Sequence, residues 1–261
     1  SVVITIFGDA VQPRGGTVAM SDLQYLLGAM QVESGALRTA MSRLAKEGWV
    51  IREKRGRHSF YKLSKAGEKT FVPAAEKIYR GPDAHSAQEL IIAVGPDELG
   101  KAREKQSGLL EALGGTRLRN GVALFAQIDR QIEAQLAKSE FLILPAKIDT
   151  LPDWVSEQLG IEDLAKEFEA LSMRIKPLQE HVSKFNALQA MVVRTLLIHD
   201  WRRLALRQPD LPNHLLPSNW PGQACHERVR SLYRDLLQQS ENWWNTPTPE
   251  GALATLKRRF S

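Results

Sequence analysis

Within residues 34 to 46, Arg38, Thr39, Ser42, Arg43 and Lys46 recur at short helical spacings. At about 100° per residue they share one arc of a helix with Gly35, opposite Leu37, Ala40, Met41 and Leu44, whose i, i+3, i+4, i+7 spacing predicts a core-facing stripe. The arc holds the chemistry of groove reading. Arginine pairs with guanine or phosphate, serine and threonine reach phosphates and base edges, and lysine neutralises backbone charge. Ser34, at the start of the same helix, joins them as a DNA-contacting residue. A solvated helix face can carry the same residue types, so the arc alone does not decide. A second basic group follows at Lys54-Arg55-Gly56-Arg57-His58, flanked by Trp49 to Glu53 and Ser59 to Leu63. Gly56 offers the positive φ that a tight hairpin wants, which places Lys54, Arg55, Arg57 and His58 at a tip able to enter a minor groove or clamp phosphates. A basic helix followed by a basic hairpin points to DNA binding.

Other chemistry finds less support. His181, His199, His214, Cys225 and His226 show neither the i, i+4 nor the C-x-x-C spacing that puts two ligands on one side of a metal ion. Cys225 and His226 lack the further partner of a catalytic dyad, and no serine stands in a nucleophile motif. Asp97, after Val94-Gly95-Pro96, is a lone carboxylate, better read as a helix cap than as part of a metal-dependent nuclease. The expectation is therefore a non-enzyme with no catalytic residue, metal site or cofactor.

The DNA-reading residues need elements to hold them. Ser21-Asp22-Leu23-Gln24 fits a capping box that starts a helix running to Met30. After Gln31-Val32-Glu33, Ser34 can cap a second helix that runs to about Glu47 and stops at Gly48. With the hairpin behind it, this predicts a winged helix-turn-helix over residues 1–80, opened by a buried helix or strand at Ser1 to Phe7 and closed by a helix from Lys65 to Tyr79. Arg80-Gly81-Pro82-Asp83 breaks the pattern. Residues 81–152 alternate apolar runs (Leu90 to Val94, Arg117 to Ala126, Phe141 to Leu144) with helical stretches (Glu98 to Leu113, Asp129 to Lys138), the order of a ferredoxin-like α+β middle domain. Residues 153–261 read as a helical C-terminal domain, with amphipathic segments Glu162 to Lys184 and Phe185 to Arg207, a Pro-rich loop, and a helix from Ala224 to about Trp243. The fold class is α+β, multidomain.

Composition fits this picture. The 261 residues are 43% hydrophobic and 25% charged, ordinary for a globular chain of two or three domains. The single cysteine, Cys225, cannot form an intramolecular disulfide, and the apolar opening is too short for a secretory signal or membrane span. A cytoplasmic protein that does not enter the membrane is expected. Residues 1–80 hold thirteen Lys/Arg against seven Asp/Glu, and the remainder holds 22 against 23. The basic excess thus lies in the segment expected to meet a polyanion.

Several motifs are familiar together. Phe7-Gly8-Asp9, Pro13-Arg14-Gly15-Gly16, Leu37-Arg38-Thr39-Ala40-Met41-Ser42-Arg43-Leu44 and Glu47-Gly48-Trp49 resemble the N-terminal domain of the PaaX family of phenylacetic acid degradation repressors. Leu197-Ile198-His199-Asp200-Trp201-Arg202-Arg203, Asp210-Leu211-Pro212, Leu215-Leu216-Pro217 and Trp220-Pro221-Gly222 are similar to its C-terminal segment. The stretch Asp83-Ala84-His85-Ser86-Ala87 departs from the family in lacking a tryptophan. The resemblance implies a repressor of aromatic-acid catabolism genes that binds an inverted-repeat operator in double-stranded DNA as a homodimer. It also implies relief of repression by an aryl-CoA thioester such as phenylacetyl-CoA. His199, Trp201, Arg202, Arg203 and Trp220 then form the candidate effector site, with the two arginines able to pair a CoA phosphate. The alternative is that both tryptophans are core and the arginines bridge helices. Two other classes stay open: a non-catalytic interaction module whose basic end meets an acidic partner, and an enzyme acting on CoA thioesters.

Overall fold

The computed structural model describes residues 1–80, 90–244, 246, 249 and 251–260. The expected break at Gly81-Pro82-Asp83 and the stretch to Ala87 lie outside the described residues. The N-terminal elements are α1 (Val2–Ile6), β1 (Thr17–Ala19), α2 (Met20–Ala29), α3 (Ser34–Lys46), β2 (Val50–Arg55), β3 (His58–Leu63) and α4 (Lys65–Tyr79). There follow β4 (Leu90–Val94), α5 (Gly100–Ala112), β5 (Thr116–Arg119), β6 (Val122–Phe125), α6 (Arg130–Lys138) and β7 (Leu142–Ala146). The remainder is helical: α7 (Asp153–Gln158), α8 (Ile161–Gln179), α9 (Ala187–Ala205), α10 (Gly222–Glu241) and α11 (Ala252–Lys257). No described helix is long and apolar enough to cross a membrane.

These elements form two compact units, each discontinuous in sequence. Ser1–Gly81, Phe168–Leu206 and Ala224–Ser261 make the first; Pro82–Glu167 and Arg207–Gln223 make the second. This division differs from the expected consecutive domains 1–80, 81–152 and 153–261. The later helices are shared out because each unit has an apolar surface that its own continuous segment leaves uncovered.

In the first unit, the opening turn is helical and buried, and it runs on through a π turn at Phe7–Val11 and a 3-10 turn at Gln12–Arg14. Val3, Ile6, Phe7 and Val11 pack with Leu23, Leu26 and Leu27 of α2, Leu37, Met41 and Leu44 of α3, Val50, Leu63, and Met191 of α9. Fully burying each such side chain is worth about 1.5–3 kcal/mol, so Met191, with the partly buried Leu188 and Val192 beside it, ties α9 into this core. Gly8 is fixed by packing: a Cβ there would collide with the Phe71 ring. β1, β3 and β2 form an antiparallel sheet in that order, with Ala19 opposite Phe60 and Arg55 opposite His58.

The second unit is built on an antiparallel sheet of order β5-β6-β4-β7. On one face, Ala93, Ala123 and Phe125 pack with Leu110 of α5 and Leu136 of α6. On the other, Leu90, Leu118 and Leu124 meet Val155, Ile161, Leu211, Leu215 and Leu216. A strand covered on both faces has no polar side, which is why Leu90-Ile91-Ile92-Ala93-Val94 is apolar throughout. The stretch Arg117 to Ala126, expected as one extended run, is the hairpin β5–β6.

Several expected caps are placed differently. α2 starts at Met20 with Ala19 in the N-cap position, and no side chain caps it. Ala19 is already held in the sheet by β3, so the strand sets the helix entry and Ser21 falls inside the first turn. Glu33, not Ser34, occupies the N-cap position of α3. Asp97 caps nothing; its carboxylate accepts from Asn120 Nδ2 at 2.6 Å. A full capping box does form at Asn186 and Gln189, at the start of α9.

Candidate nucleic-acid interface

Helix α3 is launched by a tight link. The N–H of Gln31 donates to Gly28 O at 3.0 Å and that of Val32 to Leu27 O at 2.9 Å, closing α2 with a paired Schellman cap. The cap requires a left-handed residue, and Gln31 supplies it with φ of 63°. The same pattern ends α3, where Trp49 N donates to Leu44 O at 2.8 Å around Gly48, whose φ is 76°. Between these caps the helix phase is set by Leu37, Met41 and Leu44, each buried.

The opposite arc is open. Ser34, Arg38, Thr39, Ser42, Arg43 and Lys46 are all exposed. Their contacts are local and weak: Arg38 Nη2 donates to Ser34 Oγ at 3.3 Å, Thr39 Oγ1 donates to Gly35 O at 3.0 Å, and Arg43 lies 3.7 Å from Glu47. Such solvated contacts cost little to exchange for a ligand phosphate.

The hairpin tip is equally open. Arg55 and His58 pair across a two-residue loop, Gly56-Arg57, and Gly56 has φ of 60° with no positive φ at Arg57, the pattern of a type II′ turn. Lys54, Arg55, Arg57 and His58 are exposed. Arg55 is steadied by Glu53 at 2.9 Å and by the Phe60 ring at 4.8 Å. Hydrogen bonds from Lys62 and Arg55 hold the Glu53 carboxyl below its ordinary range. Helix arc and hairpin meet along a groove of about 400 Å³, lined by Gln24, Arg38, Ser42, Arg52, Ser59 and Tyr61 among others. Arg52 donates to Ser59 Oγ from Nε at 3.2 Å and Nη2 at 2.8 Å. Gln24, Arg52, Ser59 and Tyr61 were not legible as groove residues, because only the strand register brings Arg52 and Ser59 against α3.

The C-terminal candidates are distributed otherwise. Trp201 is buried in the first unit, its Nε1 donating to Ile78 O at 2.7 Å and its ring 5.9 Å from Phe168. His199 Nδ1 and Arg202 Nη1 both lie on Thr5 Oγ1, at 3.0 and 3.1 Å. Burial lowers the pKa of both His199 and Arg202. Arg203 is exposed. Trp220 belongs to the second unit, where it packs on the Leu90 core. Cys225 is buried, and burial pushes its thiol up to about 11, far from a reactive thiolate. Among the described residues no group of three or more His, Cys, Asp or Glu could hold a metal ion.

One cluster behind the interface has no counterpart in the sequence reading. Arg194 is wholly buried; its Nε donates to Asp9 Oδ2 at 2.7 Å and its Nη1 to Glu241 Oε1 at 2.7 Å. Arg259 reaches Asp9 Oδ1 at 2.6 Å, and Arg14 reaches Glu241 Oε2 at 2.7 Å. Tyr79 and Tyr233 also donate to Asp9, at 2.8 and 3.0 Å. Burial alone would raise the Asp9 carboxyl, but Arg194, Arg259 and the Tyr79 hydroxyl outweigh it and hold the pKa below the ordinary value. Burial pushes Tyr233 up to about 12, so it stays a neutral donor. The network ties the Phe7-Gly8-Asp9 and Arg14 motifs to α9, α10 and the segment after α11, all within the first unit.

Comparison with known proteins places these features. Residues 1–67 match the model of the PaaX-like protein family, and residues 160–246 match that of the PaaX-like protein C-terminal domain. The chain is 26% identical over 249 residues to the transcriptional repressor PaaX of Escherichia coli (strain K12), covering 90% of this chain and 79% of that protein. It is also similar to the solved structure of uncharacterized protein Rv0674 from Mycobacterium tuberculosis, with 21% identity, 85% of this chain and 89% of that chain covered, and a TM-score of 0.49. With both family models matched in order, and Asp9, Arg14, Arg194 and Glu241 of the buried network inside the matched segments, this chain belongs to the PaaX-like protein family.

Proposed function

We propose that the chain is a transcriptional repressor that binds double-stranded DNA through a winged helix-turn-helix formed by α2, α3 and the β2–β3 hairpin. The observation that carries the reading is the shared groove: the exposed basic arc of α3 and the hairpin flank one concavity, so a helix set in a major groove leaves the hairpin beside the backbone. Arg38, Thr39, Ser42, Arg43 and Lys46 read the major groove from α3, whose first residue, Ser34, sits at the same end. Lys54, Arg55, Arg57 and His58 take phosphate or the minor groove. The likeness to the repressor PaaX of Escherichia coli supports the regulatory role.

The finer statements rest on further support. The strand order β5-β6-β4-β7, with the two helices on one face, favours the ferredoxin-like reading of the second unit. Phenylacetate or related aromatic-acid genes as targets, an aryl-CoA thioester as effector, and a homodimer on an inverted repeat follow from the family resemblance. The chain is not an enzyme in this reading: Cys225 is buried with a raised pKa, and His199 is engaged with Thr5.

The test is a titration of the purified chain against its own promoter fragment and against random duplex at one fixed salt concentration, repeated with phenylacetyl-CoA. Tight promoter binding released by the thioester is the expected result. Equal weak binding to both duplexes would reject the repressor reading. Promoter binding indifferent to the thioester would reject the effector alone.

A further inference from the structure

At the start of α2, on the first unit, an open cleft of about 870 Å³ is walled by aromatic rings. The volume is in the range of sites that take small organic ligands. Tyr25 and Trp243 stand parallel, with centroids 6.5 Å apart and planes within 5°, and Trp244 meets Trp243 edge-on at 4.8 Å. Tyr25 keeps 64% of its surface exposed beside the Trp243 ring.

The polar lining has a definite sign. Ser21, Asp22, Asn186 and Asn242 line the cleft and no lysine or arginine does, while the Arg14 guanidinium lies on the Trp244 ring at 4.9 Å and leaves Tyr25 and Trp243 as the rings open to a ligand. Asp22 is partly buried and makes no ion pair among the described residues. Burial raises its carboxyl above the ordinary range, as expected of an anion lacking a counter-charge. A carboxylate without a cation, set beside electron-rich ring faces, is an arrangement that attracts an ammonium group through ion pairing and cation–π contact together. The same lining offers a phosphate or carboxylate only the neutral donors of Ser21, Asn186 and Asn242, with Asp22 opposing its charge.

We propose that this cleft is a binding site for a small aromatic amine, its ring laid against Tyr25 and Trp243 and its ammonium group on Asp22. The ligand class differs from the polyanionic thioester considered above. Tyr25 projects from α2, whose Leu23, Leu26 and Leu27 share one core with Leu37 and Met41 of α3, while Asn186 precedes α9 and Trp243 follows α10. An occupant therefore bridges the helix that supports α3 to the helical remainder of the unit. That such a ligand alters operator affinity rests on the DNA-binding reading; that it binds does not.

The experiment is isothermal titration calorimetry on the full chain without DNA, using tryptamine, the neutral indole-3-acetamide and the anionic indole-3-acetate as probes. Saturable tryptamine binding at millimolar or lower concentration is expected, tighter than the amide and far tighter than the acid. Asp22→Asn should weaken tryptamine about tenfold and remove its advantage over the amide, and Tyr25→Ala, at an exposed position that leaves the core intact, should weaken it by about the same factor. Any other order of the probes, no saturation by tryptamine, or an affinity that both variants leave unchanged overturns the proposal. A parallel promoter titration of the wild-type chain separates the two readings, since probe binding without promoter binding removes only the repressor and the converse removes only the site.

Discussion

Arg194 shows what a single buried charge demands. A guanidinium in a protein interior is tolerated only when its donors are met by acceptors and its charge by carboxylates, and here Asp9 and Glu241 do both from distant parts of the chain. Replacing it by leucine leaves two buried carboxylates short of their counter-charge. Arg194→Leu should therefore lower stability by about 3–5 kcal/mol, read from urea midpoints. The pH dependence has a definite sign. The Asp9 pKa is depressed in the folded chain, so its contribution is complete above the ordinary value of 3.8 and is lost as the pH falls below that and through the folded-state value. Melting temperatures of the wild type should drop along this acid limb as the pH falls below the ordinary carboxylate value of 3.8, while Asp9→Asn starts lower and shows a shallower limb; parallel curves would refute the assignment. None of this was readable beforehand. Asp9 and Arg14 stood inside a recognisable motif, but 185 residues separate Asp9 from Arg194, and no local pattern announces a partner at that distance.

At the scale of the element, α3 was the most legible part of the chain because its phase is written in side chains that have to be inside. Leu37, Met41 and Leu44 fix the rotation, and the polar arc follows from it. Where a tertiary contact replaced a local signal, the reading slipped: Ser21 looks like a cap, yet the strand pairing of Ala19 already determines where α2 begins. The α2–α3 link carries a testable cost. Gln31 holds a left-handed conformation at φ of 63°, which an L-residue adopts about 1–2 kcal/mol less readily than glycine. Gln31→Gly should raise the urea midpoint by the equivalent of about 1 kcal/mol with DNA affinity unchanged; a destabilised variant would mean that the Gln31 side chain is needed there. In the hairpin, Arg57→Ala should weaken specific and random duplex alike and reduce the salt slope of binding by about one, the signature of a phosphate contact.

For the whole molecule, the consequential finding is that the N-terminal segment does not complete its own core. Met191 of α9 is among its buried residues, and apart from Tyr79 of α4 the side chains that hold the Asp9 carboxylate come from α9, α10 and the segment after α11. A fragment of residues 1–80 should accordingly lack cooperative unfolding by circular dichroism, whereas a stably folded fragment would show the helical layer to be dispensable. The consecutive three-domain division was the natural reading because composition and punctuation change along the chain, and a core shared between distant segments leaves no mark in either. The central claim is that α3 reads sequence, and Arg38 tests it most directly. Arg38→Ala, titrated on the promoter fragment and on random duplex at the same salt, should lose about 1–3 kcal/mol on the promoter and almost nothing on random DNA, while Lys46→Ala weakens both alike. Equal losses for Arg38→Ala on the two duplexes would contradict the account, leaving the basic arc as undirected charge.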